Sequence, residues 1–240
     1  MRIALLFAVT LAACAPRPVP VTVAPDASAP AGFPERDYLR ALEAGRSIHR
    51  VDAAASLGVV EVRRGGRLAF AGHDHVVASH DLRGWVDAAA GRADLYLRLD
   101  QLVVDEPELR AAAGFDTRPG EEAIAGTRRN MLERVLDAPQ FPYLTLRVDG
   151  LKPAESGEAR TDRRPVILAT AITLHGVTRE LAVPAVLVET GGNLRVSGDF
   201  TLRQSDFGIT PLSVLGGALQ VQDALRLRFD IVARRLGGRG

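Results

Sequence analysis

The chain has 240 residues, with 30 Lys and Arg set against 29 Asp and Glu, a formal net charge of +1 and one cysteine. So even a mixture of charge excludes a nucleic-acid partner, which needs clustered positive side chains, and a lone cysteine excludes an internal disulfide. The length suits one β-barrel or sandwich carrying a tail.

In chain order, Met1-Arg2 is followed by an almost wholly apolar run that ends in Leu11-Ala12-Ala13-Cys14. This is the layout of a secretory signal peptide, and it falls well short of the roughly 20 apolar residues that span a bilayer. Leu11 to Cys14 resembles a bacterial lipobox, so residues 1–13 are expected to be removed and Cys14 to carry lipid. A thioether at Cys14 disposes of a reactive thiol, and several acyl chains anchor stably at about 0.8 kcal/mol per buried methylene. Ala15, where Asp could stand, resembles an outer-membrane sorting signal, which puts the expected location in the cell envelope, facing the periplasm. Residues 14–40 form the lipidated cysteine and a Pro/Ala-rich tether, extended at about 3.1 Å per residue. Glu35 to Ala44 is expected to form a short helix, the folded domain is expected over residues 47–235, and residues 236–240 are a Gly/Arg tail.

Past Ser47 the dominant signal is alternation with a period of two, the mark of strands with one buried and one wet face. Leu225-Arg226-Leu227-Arg228-Phe229-Asp230-Ile231 states it most clearly. The same rhythm predicts strands at Leu68 and Phe70, Leu95 to Leu99, Leu144 to Val148, Leu168 to Leu174, and Phe200 and Leu202. Turn signals separate them at Arg64-Gly65-Gly66, Ala90-Gly91, Ser156-Gly157, His175-Gly176 and Gly191-Gly192-Asn193. Between Asp105 and Pro139 the rhythm breaks. Asp105-Glu106-Pro107-Glu108 reads as a helix start, and Met131, Leu132, Val135 and Leu136 make a one-sided stripe. The reading is an all-β antiparallel sheet of seven to nine strands, closed or sandwiched, with one or two helices inserted.

Three segments in order carry a family resemblance: Leu136-Asp137-Ala138-Pro139-Gln140-Phe141-Pro142-Tyr143, Ile172-Thr173-Leu174-His175-Gly176-Val177-Thr178, and Arg203-Gln204-Ser205-Asp206-Phe207-Gly208-Ile209. With the final alternating strand they resemble the YceI-like family of exported lipid-binding proteins, over about Ser47 to Arg235. The resemblance implies a lipocalin-like antiparallel barrel of about eight strands around a cavity for an isoprenoid lipid, of polyprenyl or quinone type. It also implies that Gly176-Val177-Thr178 forms a hairpin turn. The candidate lining residues are Leu68, Phe70, Leu97, Leu146, Ile172, Leu174, Phe200, Leu202, Leu227 and Phe229. Each of them also suits an ordinary core.

His73 and His75 lie two apart, a spacing that on a strand puts both imidazoles on one face with Asp74 opposite. They are candidates to contact a ligand's polar head, and two imidazoles are also the beginning of a metal site, although a third and fourth ligand are not evident. His175 reads as a solvated turn, and Arg203 with Asp206 as a structural ion pair or a brace for the Phe207 turn. There is no Gly-x-Ser-x-Gly elbow, no second cysteine and no glycine-rich phosphate loop, so no enzyme activity and no resident cofactor or metal is expected. Three functions compete: a tethered isoprenoid-binding protein, a periplasmic metal- or redox-linked protein using His73 and His75, and a structural envelope protein with a solid barrel.

Overall fold

The structure is a computed structural model that describes residues 26, 28–155 and 163–237. Residues 1–13, Cys14, the first part of the tether (15–25 and 27) and the Ser156-Gly157 turn lie outside the described residues. Strands follow the alternation. They are β1 (Ile48–Val51), β2 (Leu57–Val62), β3 (Arg64–Gly65), β4 (His75–Ser79), β5 (Arg83–Asp87), β6 (Arg92–Arg98), β7 (Val103–Val104), β8 (Tyr143–Pro153), β9 (Arg163–Leu174), β10 (Val177–Thr190), β11 (Asn193–Arg203), β12 (Ser213–Val214), β13 (Leu219–Val221) and β14 (Ala224–Arg235). The helices are α1 (Glu35–Glu43), α2 (Pro107–Ala112) and α3 (Glu121–Asn130), the last running into a π turn, Met131–Val135. Among the described residues no helix is long and apolar enough to cross a membrane.

Every pairing in the main sheet is antiparallel, and the sheet closes on itself because β14 pairs with β11 along one edge and with both β1 and β2 along the other. β1 and β2 act as one bent strand. β4 with β5, and β6 with β7, are bent in the same way, so the closed barrel has eight strands. The bend between β1 and β2 is held by Ser56, whose hydroxyl donates to the Asp52 carbonyl at 2.7 Å and accepts from the Val232 amide at 3.0 Å. A side chain thus satisfies a backbone donor that the ladder leaves without a partner.

One wall is built from neighbours in sequence, β8 to β11. β9 and β10 run in register from Leu174↔Val177 to Arg163↔Val188. Their turn is only His175 and Gly176, both at positive φ (52° and 73°), as a tight hairpin requires. A Cβ on Gly176 would come within 2.7 Å of the Phe141 ring, so the position excludes any side chain. Val177 and Thr178, expected in the turn, already belong to β10. Outward residues of this wall are charged and pair across strands, Arg195 with Asp230 and Arg226 with Asp199.

The opposite wall is wrapped. α1 lies over β1 and β5, burying Tyr38 against Ile48 and Trp85, and the Tyr38 hydroxyl donates to Asp94 Oδ2 at 2.7 Å. Arg83 reaches back to pair with Asp26 at 2.8 Å. The chain assigned to the tether up to residue 40 is therefore seated on the barrel through its latter part, because Phe33, Tyr38 and Leu39 bury apolar surface there. Leu236, placed in the tail, joins the same cluster and donates its amide to the Ile48 carbonyl.

The strand predicted at Leu68 and Phe70 does not form. Ala69–Ala71 is a 3-10 turn, and Phe70 is 80 % exposed. Leu-Ala-Phe-Ala imitates alternation, but the segment has no partner strand and is enclosed by Gly65-Gly66 and Gly72. It is tied instead to a separate three-stranded sheet, β12-β13-β3, by the Leu68 amide donating to the Ala218 carbonyl at 2.7 Å.

Candidate functional site

The barrel is hollow. A cavity of about 910 Å³ runs through it, near the upper end of the ~300–1,000 Å³ typical of ligand sites. On β14 the residues Leu225, Leu227, Phe229, Ile231 and Ala233 all face it. At about 3.3 Å per residue, those eight steps cover roughly 26 Å along the tilted strand. Eight-stranded barrels are just wide enough to be filled by their own side chains or to admit one slender ligand. Here the inward residues leave the space open, so Leu144, Leu146, Phe200, Leu227 and Phe229 are only half-buried although they point inward.

Of the ten predicted lining residues, Leu97, Leu146, Ile172, Leu174, Phe200, Leu202, Leu227 and Phe229 line the cavity. Leu68 and Phe70 do not, because the turn that carries them lies outside the barrel wall. Met131, Val135 and Leu136, the stripe read as helical, cap the interior beside β6 and β8. Phe200 and Phe229 meet edge to face across β11 and β14, with ring centroids 6.3 Å apart.

Both His73 and His75 line the cavity. They do not share a strand face. His73 and Asp74 precede β4, and Asp74 instead accepts the Arg64 amide at 2.9 Å. His75 opens β4 and is held from behind. Its Nδ1 lies 2.6 Å from Oδ2 of Asp105, whose side chain is fully buried. Asp105 Oδ1 accepts from the Val76 amide at 3.0 Å and from Arg110 at 2.5 Å. Burial alone would raise the Asp105 pKa, but the hydrogen bonds from His75, Val76 and Arg110 outweigh it and hold the carboxyl below its ordinary range. Arg110 is fixed in turn by the carbonyls of Asp74 and Thr117.

The sequence marks Asp105 only as part of a helix start and does not mark Arg110, so neither is legible there as a neighbour of His75. Asp105 takes φ +62°, a conformation that Asp tolerates, and thereby turns its carboxylate back to β4 in place of capping α2.

Among the described residues no three or more His, Cys, Asp or Glu side chains are grouped to hold a metal ion. His80 bonds Glu106 at the surface, and His175 packs on Phe141 in its hairpin turn. Arg203 and Asp206 form no ion pair. Ser205 donates through its amide and hydroxyl to Asp223 instead, and Phe207 is buried. These hydrogen bonds from Ser205 lower the Asp223 pKa.

Geometry alone defines a class: an antiparallel barrel with a long, mainly apolar interior and a hydrogen-bonded histidine, His75, near one end. The model of the YceI-like domain matches residues 66–233, and the chain belongs to that family. The fold is shared with a polyisoprenoid-binding domain from Saccharophagus degradans, at 13 % identity and a TM-score of 0.55, covering 78 % of this chain and 98 % of that one. Burkholderia cenocepacia BcnA is similar at 15 % identity, with 76 % and 98 % coverage and a TM-score of 0.49. The Campylobacter jejuni YceI protein is similar at 12 % identity, with 64 % and 81 % coverage and a TM-score of 0.41. No curated protein matches the chain.

Proposed function

We propose that this protein is a non-enzymatic carrier that holds an isoprenoid lipid, polyprenyl or quinone in type, inside its barrel, and that lipid on Cys14 keeps it at the envelope membrane. The observation that carries this reading is the continuous, mainly apolar cavity, long and narrow enough for a chain. The fold shared with a polyisoprenoid-binding domain supports the same class of ligand. The energetics fit as well. A five-carbon isoprene unit gains up to about 4 kcal/mol on leaving water at ~0.8 kcal/mol per methylene-sized group, before binding costs. Such a chain needs enclosure to cross an aqueous space.

Protein purified from a bacterial envelope, extracted with organic solvent and examined by mass spectrometry, is expected to yield a stoichiometric isoprenoid lipid. Folded protein that repeatedly yields none would overturn the reading. Leu227→Trp projects bulk into the middle of the cavity. It is expected to reduce lipid recovery several-fold while changing stability by less than about 1 kcal/mol, because the extra volume enters open space and not a packed core.

A further inference from the structure

Resting on that reading, we propose that the His75 end of the cavity is a head-group site built for a neutral lipid bearing a hydroxyl, in preference to a phosphorylated or fully capped one. Three observations combine. His75 Nδ1 is committed to Asp105 at 2.6 Å, which fixes the proton on that nitrogen and leaves Nε2 as an acceptor. The nearest polar neighbour of Nε2 is Thr127 Oγ1 at 3.5 Å, longer than a good hydrogen bond. Both residues line the cavity. An oxygen placed about 2.8 Å from each completes a triangle with them, donating its own proton to Nε2 and accepting one from Thr127.

The charges nearby argue for neutrality. Asp105, the one carboxylate behind the imidazole, is already matched by Arg110. Arg64, which lines this end, is engaged by Asp74 and Asp116; Arg228, further along the wall, stands 3.4 Å from Glu61, which also pairs with Arg63 at 3.0 Å. An anionic head at the His75 end would have to draw Arg64 from Asp74 and Asp116 to find a cation. A free hydroxyl, as in a prenyl alcohol or a reduced quinone, needs no such pair broken. Its alkyl ether has no proton for Nε2.

The test uses the full chain stripped of lipid and titrated with geranylgeraniol, its methyl ether and its monophosphate at about pH 8. The alcohol is expected to bind about three- to tenfold tighter than the ether, the effect of one net hydrogen bond. In His75→Leu that preference is expected to vanish with ether affinity unchanged, and His75→Gln, which keeps an acceptor, is expected to restore part of it. If His75→Leu fails to fold, Thr127→Val serves: it is expected to weaken alcohol and ether alike, since both oxygens accept from Thr127, and unchanged affinity for both would overturn the site. Equal binding of alcohol and ether, a preference that survives in the Leu variant, or tightest binding of the phosphate would each overturn the site while leaving the carrier reading in place. Binding of none of the three would overturn the carrier reading, and this site with it.

Discussion

The two walls of the barrel differ in how they are supported. The β8–β11 wall with β14 has one face in the cavity and one in water, its strands are long, and its neighbours are mostly adjacent in sequence. The wall of β1/β2, β4/β5 and β6/β7 is covered on the outside by α1 and by the Asp105 to Thr117 segment, and each of its strands is interrupted. Wrapping supplies the burial that a hollow interior cannot. Tyr38, Ile48, Trp85, Tyr96 and Val76 are all buried on this wall's outer side or on the cover, and add to the inward Leu82, Leu95, Leu97 and Leu99. A barrel that keeps its middle open gains a good part of its stability from outside.

The sharpest way to break this comparison is to remove a buried charge from the wrapped wall. Asp105→Ala leaves Arg110 buried without its partner, and a loss of about 3–5 kcal/mol is expected from urea unfolding. A loss below about 1 kcal/mol would mean that the cover contributes little.

Alkaline titration separates the walls next. Burial, and then the hydrogen bond to Asp94, raise the Tyr38 pKa, while burial pushes Tyr96 up to about 12. A phenol whose folded pKa is raised contributes stability that is complete below its unfolded value near 10 and is lost as pH rises through the folded value. Unfolding between about pH 10 and 12 is therefore expected to begin at the wrapped wall, and Tyr38→Phe should make that limb shallower. The same slope in wild type and variant would remove Tyr38 from the account. Asp105 acts at the other extreme: with its pKa depressed, its contribution is present above the ordinary carboxylate range and is lost as pH falls through the folded value.

The smallest effect is expected on the regular wall. Asp230→Ala removes the exposed pair with Arg195 and should leave the unfolding midpoint unchanged. A clear shift there would show that cross-strand charge is part of what holds the hollow side.

The same contrast explains what could be read in the sequence. Leu225 to Ile231 and Leu168 to Leu174 alternate because their outer faces are wet, so strands, faces and eight of the lining residues were visible. On the wrapped wall outer residues are buried as well, apolar ones such as Val76 and Ala78 and charged ones such as Glu61 and Asp94. His75-Val76-Val77-Ala78 shows no period of two, and Leu68-Ala69-Phe70-Ala71 shows one that has no partner strand. The head-group end was half legible. His73 and His75 were marked by their spacing, but Asp105 and Thr127 join His75 across 30 and 52 residues, a proximity that only the closed barrel creates. The cavity was implied by family resemblance alone, since periodicity describes a filled and an empty barrel equally well.

β14 has one more consequence, for the order of folding. Its contacts with β1 and β2 join residues about 165 to 186 positions apart, so the enclosure cannot exist until the twelve residues of β14 have been added. Contacts of that separation are slow to form. The hairpin wall can assemble early as an open, curved sheet whose apolar face is bare. A lipid present at that stage meets a trough and not a tunnel, and the last strand to dock is the one that seals it in.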